Sequence, residues 1–170
     1  HMELKEVMLK RRSVRKFTSE LVSDEQIDIL LHYAMSGPSA CNKQPWEFFV
    51  VTNEEKLKEL RDSSRYTGMI SPLNIIVCGA LDRCLPFGLG EYWIQGCSAA
   101  IENILLGVTD LGLGAVWCGL HPKKDAVEKV RTILNLDEKY VPLGLIHIGH
   151  PDCEVTPGDW YKEEYIHYIK

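Results

Sequence analysis

The stretch KRRSVRKF, residues 10–17, puts five cations into eight positions of a chain whose formal net charge is −5. Within it, Arg11, Arg12, Ser13 and Arg15 combine three guanidinium forks with a hydroxyl, a set suited to a phosphate and to the carbonyl edge of a planar ring. A cation run where a helix ends also complements the helix dipole, so each arginine taken singly has a purely structural reading. A second stretch, PSACNKQPW at residues 38–46, holds a loop of short polar side chains between Pro38 and Pro45. Its Asn42 and Gln44 amides can pair with the imide edge of a heterocycle, although a plain helix-to-strand connection uses the same residues. A third, GLGAVWCGLHP at residues 112–122, sets glycines around a short apolar strand, where a missing side chain lets a ring approach the backbone. Its spacing is not G-x-G-x-x-G and no helix opens there, so it carries no dinucleotide fingerprint.

Other chemistry finds less support. Neither Ser13 nor Cys41 has a base beside it in sequence. His147 and His150 lack a third ligand at metal-binding spacing, and Glu102 reads as a structural charge, so no catalytic residue and no metal site is expected. The six cysteines include no C-x-x-C pair and are expected to be reduced thiols of a cytoplasmic protein, with no secretory signal ahead of them. An acidic chain with one basic segment does not suit nucleic acid, and no apolar run approaches the roughly 20 residues a bilayer demands. His1 and Met2 are read as a cloning remnant, leaving residues 3–170 as a single domain. A chain of 170 residues is long enough to bury roughly 70% of its unfolded surface.

The elements that must position these groups alternate along the chain. A short helix over 3–10 leads into the arginine segment. Ser23 and Gln26 form a capping box for a second helix, with Ile27, Leu30, Leu31, Ala34 and Met35 on its apolar face, and Gly37-Pro38 stops it. A strand at EFFVVT, a helix capped by Asn53 and running to about Leu60, and a strand at NIIVCGA follow. The longest helical pattern, about residues 91–111, is apolar around more than one face, so it is expected to be buried on most sides or to lie in a subunit interface. Ile104, Leu105, Leu106 and Val108 in particular call for a second subunit to cover them. GAVWCG forms a third strand, PKKDAVEKVRTIL a helix, and residues 141–149 a fourth strand before an aromatic-rich tail. This alternation predicts a layered α/β or α+β fold.

Taken together, RRSVRKF, PSACNKQPWEFFVV, AAIENILLGVTDLGLGAVWCG and PLGLIHIGHP occur in the order and spacing of the nitroreductase family of flavoenzymes in its short form, which the chain resembles over nearly its whole length. The resemblance implies an α+β fold with a central, mostly antiparallel sheet flanked by helices, in an intertwined homodimer that holds two FMN molecules at its interface. By motif position, Arg11, Arg12, Ser13 and Arg15 would hold the ribityl phosphate and pyrimidine edge. Pro38, Ser39, Ala40 and Asn42, with Gln44 beside them, would approach from the other subunit. Trp117, Cys118 and Gly119 would lie along the ring, with the N–H of Gly119 or Leu120 reaching flavin N5. The activity implied is hydride transfer from NAD(P)H through FMN to a nitroaromatic or quinone-like acceptor, by ping-pong kinetics. The chain departs from the family pattern at Trp160, where a basic residue is common, with Lys162 nearby, and at Gly96-Cys97, where an acidic residue is frequent. Residues 65–73 offer no evident counterpart of the family's polar flavin contact. Only residues 83–91 are free to form a lid. A non-catalytic flavin or anion-binding module and a thiol-based redox protein are the alternatives.

Overall fold

The computed structural model describes residues 2–86 and 89–170. His1 of the expected remnant, and Phe87 and Gly88 of the expected lid, lie outside the described residues.

Local signals set most element boundaries. Helix α1 (Leu4–Lys10) precedes the arginines. Helix α2 (Asp24–Met35) opens on a complete capping box, with the Gln26 N–H donating to Ser23 Oγ at 3.1 Å and the Ser23 N–H donating to Gln26 Oε1 at 3.0 Å. Strand β1 (Trp46–Val51) follows the polar loop. Asn53 Oδ1 accepts the Lys56 N–H at 3.0 Å and starts helix α3 (Glu54–Asp62), two residues longer than expected. Then come strand β2 (Leu73–Ala80), helix α4 (Tyr92–Asp110), strand β3 (Gly114–Gly119), helix α5 (Lys124–Leu134) and strand β4 (Tyr140–Gly149).

The four strands form one sheet in the order β1-β2-β4-β3, with every neighbouring pair antiparallel. The fold is α+β, as expected. β2 and β4 are central and clad on both faces. Because side chains alternate along a strand, Ile75, Val77, Ile146 and Ile148 face α2 and α4, while Ile76, Cys78 and Leu145 face α3 and α5.

One expectation is corrected by this layering. Ile104, Leu105 and Val108 of α4 are already buried within one chain, because α4 lies between the sheet on one side and α1 and α2 on the other. Only Leu106 of that run is left half-buried. Two glycines let α4 pack closely, Gly79 against the sheet and Gly107 against α2. A Cβ at Gly79 would overlap the Trp93 ring, and one at Gly107 would crowd Tyr33.

Candidate functional site

The arginine segment leaves α1 as extended chain and docks on the edge of the sheet. The Val14 N–H donates to the Ala115 carbonyl at 2.8 Å, and Ser13 pairs with Ala115 in parallel register. Val14 turns inward and is buried, so close to Gly114 that a Cβ there would lie 2.8 Å from the Val14 Cβ. The alternation of extended chain then turns Ser13 and Arg15 outward together, and both are exposed. The segment stays pinned beyond the arginines, where the Thr18 N–H donates to the His150 carbonyl and the Asp152 N–H to the Lys16 carbonyl, each at 2.9 Å.

This docking covers only the first half of β3. Antiparallel strands alternate hydrogen-bonded and open positions. The Leu120 N–H donates inward to the Leu143 carbonyl at 2.9 Å, while the Ala115 carbonyl points outward to Val14. The N–H groups of Trp117 and Gly119 therefore project from the free edge, beside Arg15. Leu120 is corrected on this point: its N–H is spent inside the sheet, its side chain is buried, and Gly119 alone of the two keeps a donor for a ligand. A Cβ at Gly119 would meet nothing within 4 Å, so the space beside it is open.

The two faces of β3 differ. Trp117, 37% exposed, lies on the α4 face with the Nε1–Cδ1 edge of its indole over Gly144 of β4, where a Cβ would overlap it. Cys118 points the other way, into the core formed with α3 and α5. Burial pushes its thiol up to about 11, partly offset by the nearby Arg15 guanidinium. Its side chain therefore cannot lie along a ring that Trp117 and Gly119 face, and only its backbone is on that side. Burial likewise pushes Cys97 up to about 12 and raises Cys78. All six cysteines are free, and three of them are deeply protonated, which weighs against the thiol-based alternative.

The arginines are short of anions. Arg11 approaches Glu102 only at 4.0 Å, and among the described residues neither Arg12 nor Arg15 pairs with a carboxylate. Arg12 is instead held by the tail: its Nη1 donates to the Thr156 carbonyl at 2.6 Å and its Cζ sits 4.7 Å from the Trp160 ring centroid. A cleft of about 230 Å³ opens here, walled by Lys10, Arg11, Arg12, Gly112, Gly114 and Val155 among others. Arg11 and Arg12 wall this cleft, while Ser13, Arg15 and the free N–H groups of Trp117 and Gly119 follow the outer edge of β3 and do not line it; together these donors suit a phosphorylated planar cofactor.

The polar loop is built separately. Cys41, Asn42 and Gln44 all adopt left-handed backbone, with φ near 50°, in a loop without glycine between Pro38 and Pro45. The Gln44 N–H donates to Ser39 Oγ and Gln44 Nε2 to Asn42 Oδ1, each at 2.9 Å, and the Asn42 N–H donates to the Ser39 carbonyl. Such strain in non-glycine residues persists only where surroundings enforce it, and it concentrates at binding sites. The loop rests on α4 at Gly96, where a Cβ would lie 3.2 Å from the Ser39 Cβ. Glu102, near Arg11, lies six residues further along α4, roughly 9 Å by helical rise. None of Pro38, Ser39, Ala40, Asn42 and Gln44 lines the arginine cleft of the same chain.

His147 and His150 are held in contacts within the fold. His147 is buried, with Nε2 2.9 Å from the Thr67 carbonyl and Nδ1 2.7 Å from Ser71 Oγ. Burial lowers it to about 4. His150 lies 3.6 Å from Glu20. Among the described residues no group of three His, Cys, Asp or Glu could hold a metal, and no helix is long and apolar enough to cross a membrane. Sequence reading missed the Arg12–Trp160 contact and the Gly144 platform. The inward direction of the Cys118 side chain could have been read from strand alternation.

Fold and site together define an α+β protein with an anion-receptive sheet edge. The chain belongs to the nitroreductase family, whose model matches residues 8–67 and 91–150. A relative from Methanothermobacter thermautotrophicus, provisionally named an NADH dehydrogenase/NAD(P)H nitroreductase, is 38% identical over 99% of this chain and 88% of its own length. A crystal structure under the same provisional name from Bacteroides thetaiotaomicron superposes with a TM-score of 0.91 at 38% identity, covering 97% of this chain and 96% of that one. A provisionally named nitroreductase from Desulfovibrio desulfuricans, solved in complex with FMN, gives 0.82 at 25% identity over 100% and 98%.

Proposed function

We propose that this protein is an FMN-dependent NAD(P)H oxidoreductase that reduces an electron-poor acceptor such as a nitroaromatic or quinone. One arrangement carries the reading: the arginine segment docked along β3, immediately before a strand end with an open backbone donor and no side chain at Gly119. Bound FMN would supply the hydride chemistry, taking it up from the nicotinamide and passing it on. The protein's part is to hold, orient and shield. Arg11, Arg12, Ser13 and Arg15 would take the phosphate and pyrimidine edge, where their charge also favours a ring that gains electrons. The Gly119 N–H would face N5, and Trp117, fixed by Gly144, would back the ring edge. No side chain is called on as general acid or base.

The second subunit enters on different grounds from those first expected. Leu4 and Tyr33 are exposed beside the half-buried Leu106, Met8 and Met35 are exposed elsewhere on the same two helices, and the tail carries exposed Tyr161, Tyr165, Tyr168 and Ile169. Apolar surface on this scale supports an intertwined homodimer. The strained loop of one chain, which does not line its own arginine cleft, would then complete the cleft of the other.

Steady-state kinetics with NADH or NADPH and a quinone test the proposal. Parallel double-reciprocal lines and bleaching of bound flavin by the nicotinamide alone are expected. Intersecting lines with a detectable ternary complex would refute the ping-pong order, and a flavin that no nicotinamide reduces would leave the non-catalytic binding module in its place.

A further inference from the structure

We propose that Trp160 is a positioning residue: together with the Thr156 carbonyl it fixes the Arg12 guanidinium for the ligand's phosphate, and so sets the preference for FMN over unphosphorylated riboflavin. The proposal rests on the FMN reading above.

The observations come from a strap that the tail lays across the end of α1. The Gly158 N–H donates to the Leu9 carbonyl at 3.1 Å, satisfying one of the carbonyls that a helix end leaves free. Gly158 has no room for a side chain: a Cβ there would overlap the Trp160 ring and lie 3.0 Å from Arg12 Nη1. The indole therefore folds back over Gly158 and onto Arg12, whose Cζ lies 4.7 Å from the ring centroid. One N–H of the guanidinium is used on Thr156 at 2.6 Å, which leaves four of its five donors for an anion. Asp159, the one carboxylate inside the strap, is turned to the Tyr161 N–H at 3.0 Å.

Trp160 has no core role to explain it, since it is 62% exposed. A guanidinium held by a ring face and a carbonyl has lost its rotamer freedom before any ligand arrives, so binding does not have to order it. Val155, just before the strap, walls the same cleft as Lys10, Arg11 and Arg12, so the strap borders the space the phosphate would enter. An aromatic residue can therefore serve where a second cation would otherwise be placed: it contributes by orienting a charge already present.

The test measures FMN and riboflavin dissociation constants by flavin fluorescence for wild type, Trp160→Ala, Trp160→Phe, Arg12→Ala and the Arg12→Ala/Trp160→Ala double variant. Trp160→Ala is expected to weaken FMN about tenfold while leaving riboflavin within about twofold. Trp160→Phe keeps a ring face and should stay near wild type. In the Arg12→Ala background the loss of Trp160 should have no further effect, because the ring acts through that guanidinium. Gly158→Ala, which drives the indole off the strap, should reproduce the FMN loss with the tryptophan still present. Unchanged FMN affinity in Trp160→Ala, an equal loss for both flavins, or a further loss in the Arg12→Ala background would each overturn the proposal. A wild-type protein that binds neither flavin would instead overturn the FMN reading beneath it.

Discussion

Lowering the pH from 7.5 to 5 is expected to remove about 2 kcal/mol of stability through one buried imidazole. The Thr67 carbonyl can only accept, so His147 Nε2 carries the proton and donates to it at 2.9 Å. Nδ1 is then an acceptor with a single lone pair, lying 2.7 Å from Ser71 Oγ and 2.9 Å from Asn74 Nδ2. A second proton would place a charge in a buried site and aim an N–H at the Asn74 amide donor. Burial, with a smaller contribution from Arg61, lowers the group from 6.5 to about 4 against the opposing bond to Thr67. The unfolded chain therefore binds a proton between pH 6.5 and 4 that the folded chain refuses, and stability falls as pH falls through that window. Integrating between these two values gives about 2 kcal/mol by pH 5 and about 3 by pH 4. Urea unfolding at pH 7.5, 6 and 5 measures the slope, and His147→Gln cancels contributions from other groups. The wild-type slope should exceed that of the variant by this amount. Equal slopes, or an imidazole that titrates by NMR near 6.5 in the folded protein, would refute the buried neutral assignment.

Other outcomes follow from the site and the layers. Arg11→Ala or Arg15→Ala should weaken FMN binding by about 1.5–3 kcal/mol, the range for a hydrogen bond to a charged group, with circular dichroism unchanged; wild-type affinity in both would reduce the segment to a solvated helix end. Gly119→Val should leave stability within about 0.5 kcal/mol, since nothing crowds a Cβ there, yet weaken FMN binding at least tenfold by filling the ring's approach; unfolding midpoints and flavin titration separate the two. Leu105→Glu should unfold the chain because Leu105 is buried within the monomer. Leu106→Glu should leave a folded protein whose sedimentation shifts toward monomer.

The elements that proved legible in sequence are those set by neighbours in the chain. The Ser23–Gln26 box and the Asn53 cap each place a hydrogen bond across three residues, and they fixed two helix starts without any tertiary information. β3 was equally plain, bounded by Gly114 and Gly119. What remained hidden depends on distance. The Arg12–Thr156 bond spans 144 residues, and no local pattern announces that Trp160 returns to the first helix. The coverage of α4 was misjudged because a hydrophobic circumference looks the same whether its partners are elements of one chain or of two. For the candidate site, the arginines and Gly119 were singled out by residue type and Trp117 by the family resemblance, while excluding the Leu120 N–H required the hydrogen-bond phase of the β3–β4 ladder.

The central claim, an arginine-docked sheet edge that holds FMN, is tested most directly by the absorption spectrum of the purified protein, followed by acid release and identification of the chromophore. A yellow protein releasing FMN, about one per chain after reconstitution, is expected; FAD in its place, or a protein that stays colourless when offered FMN, would contradict it.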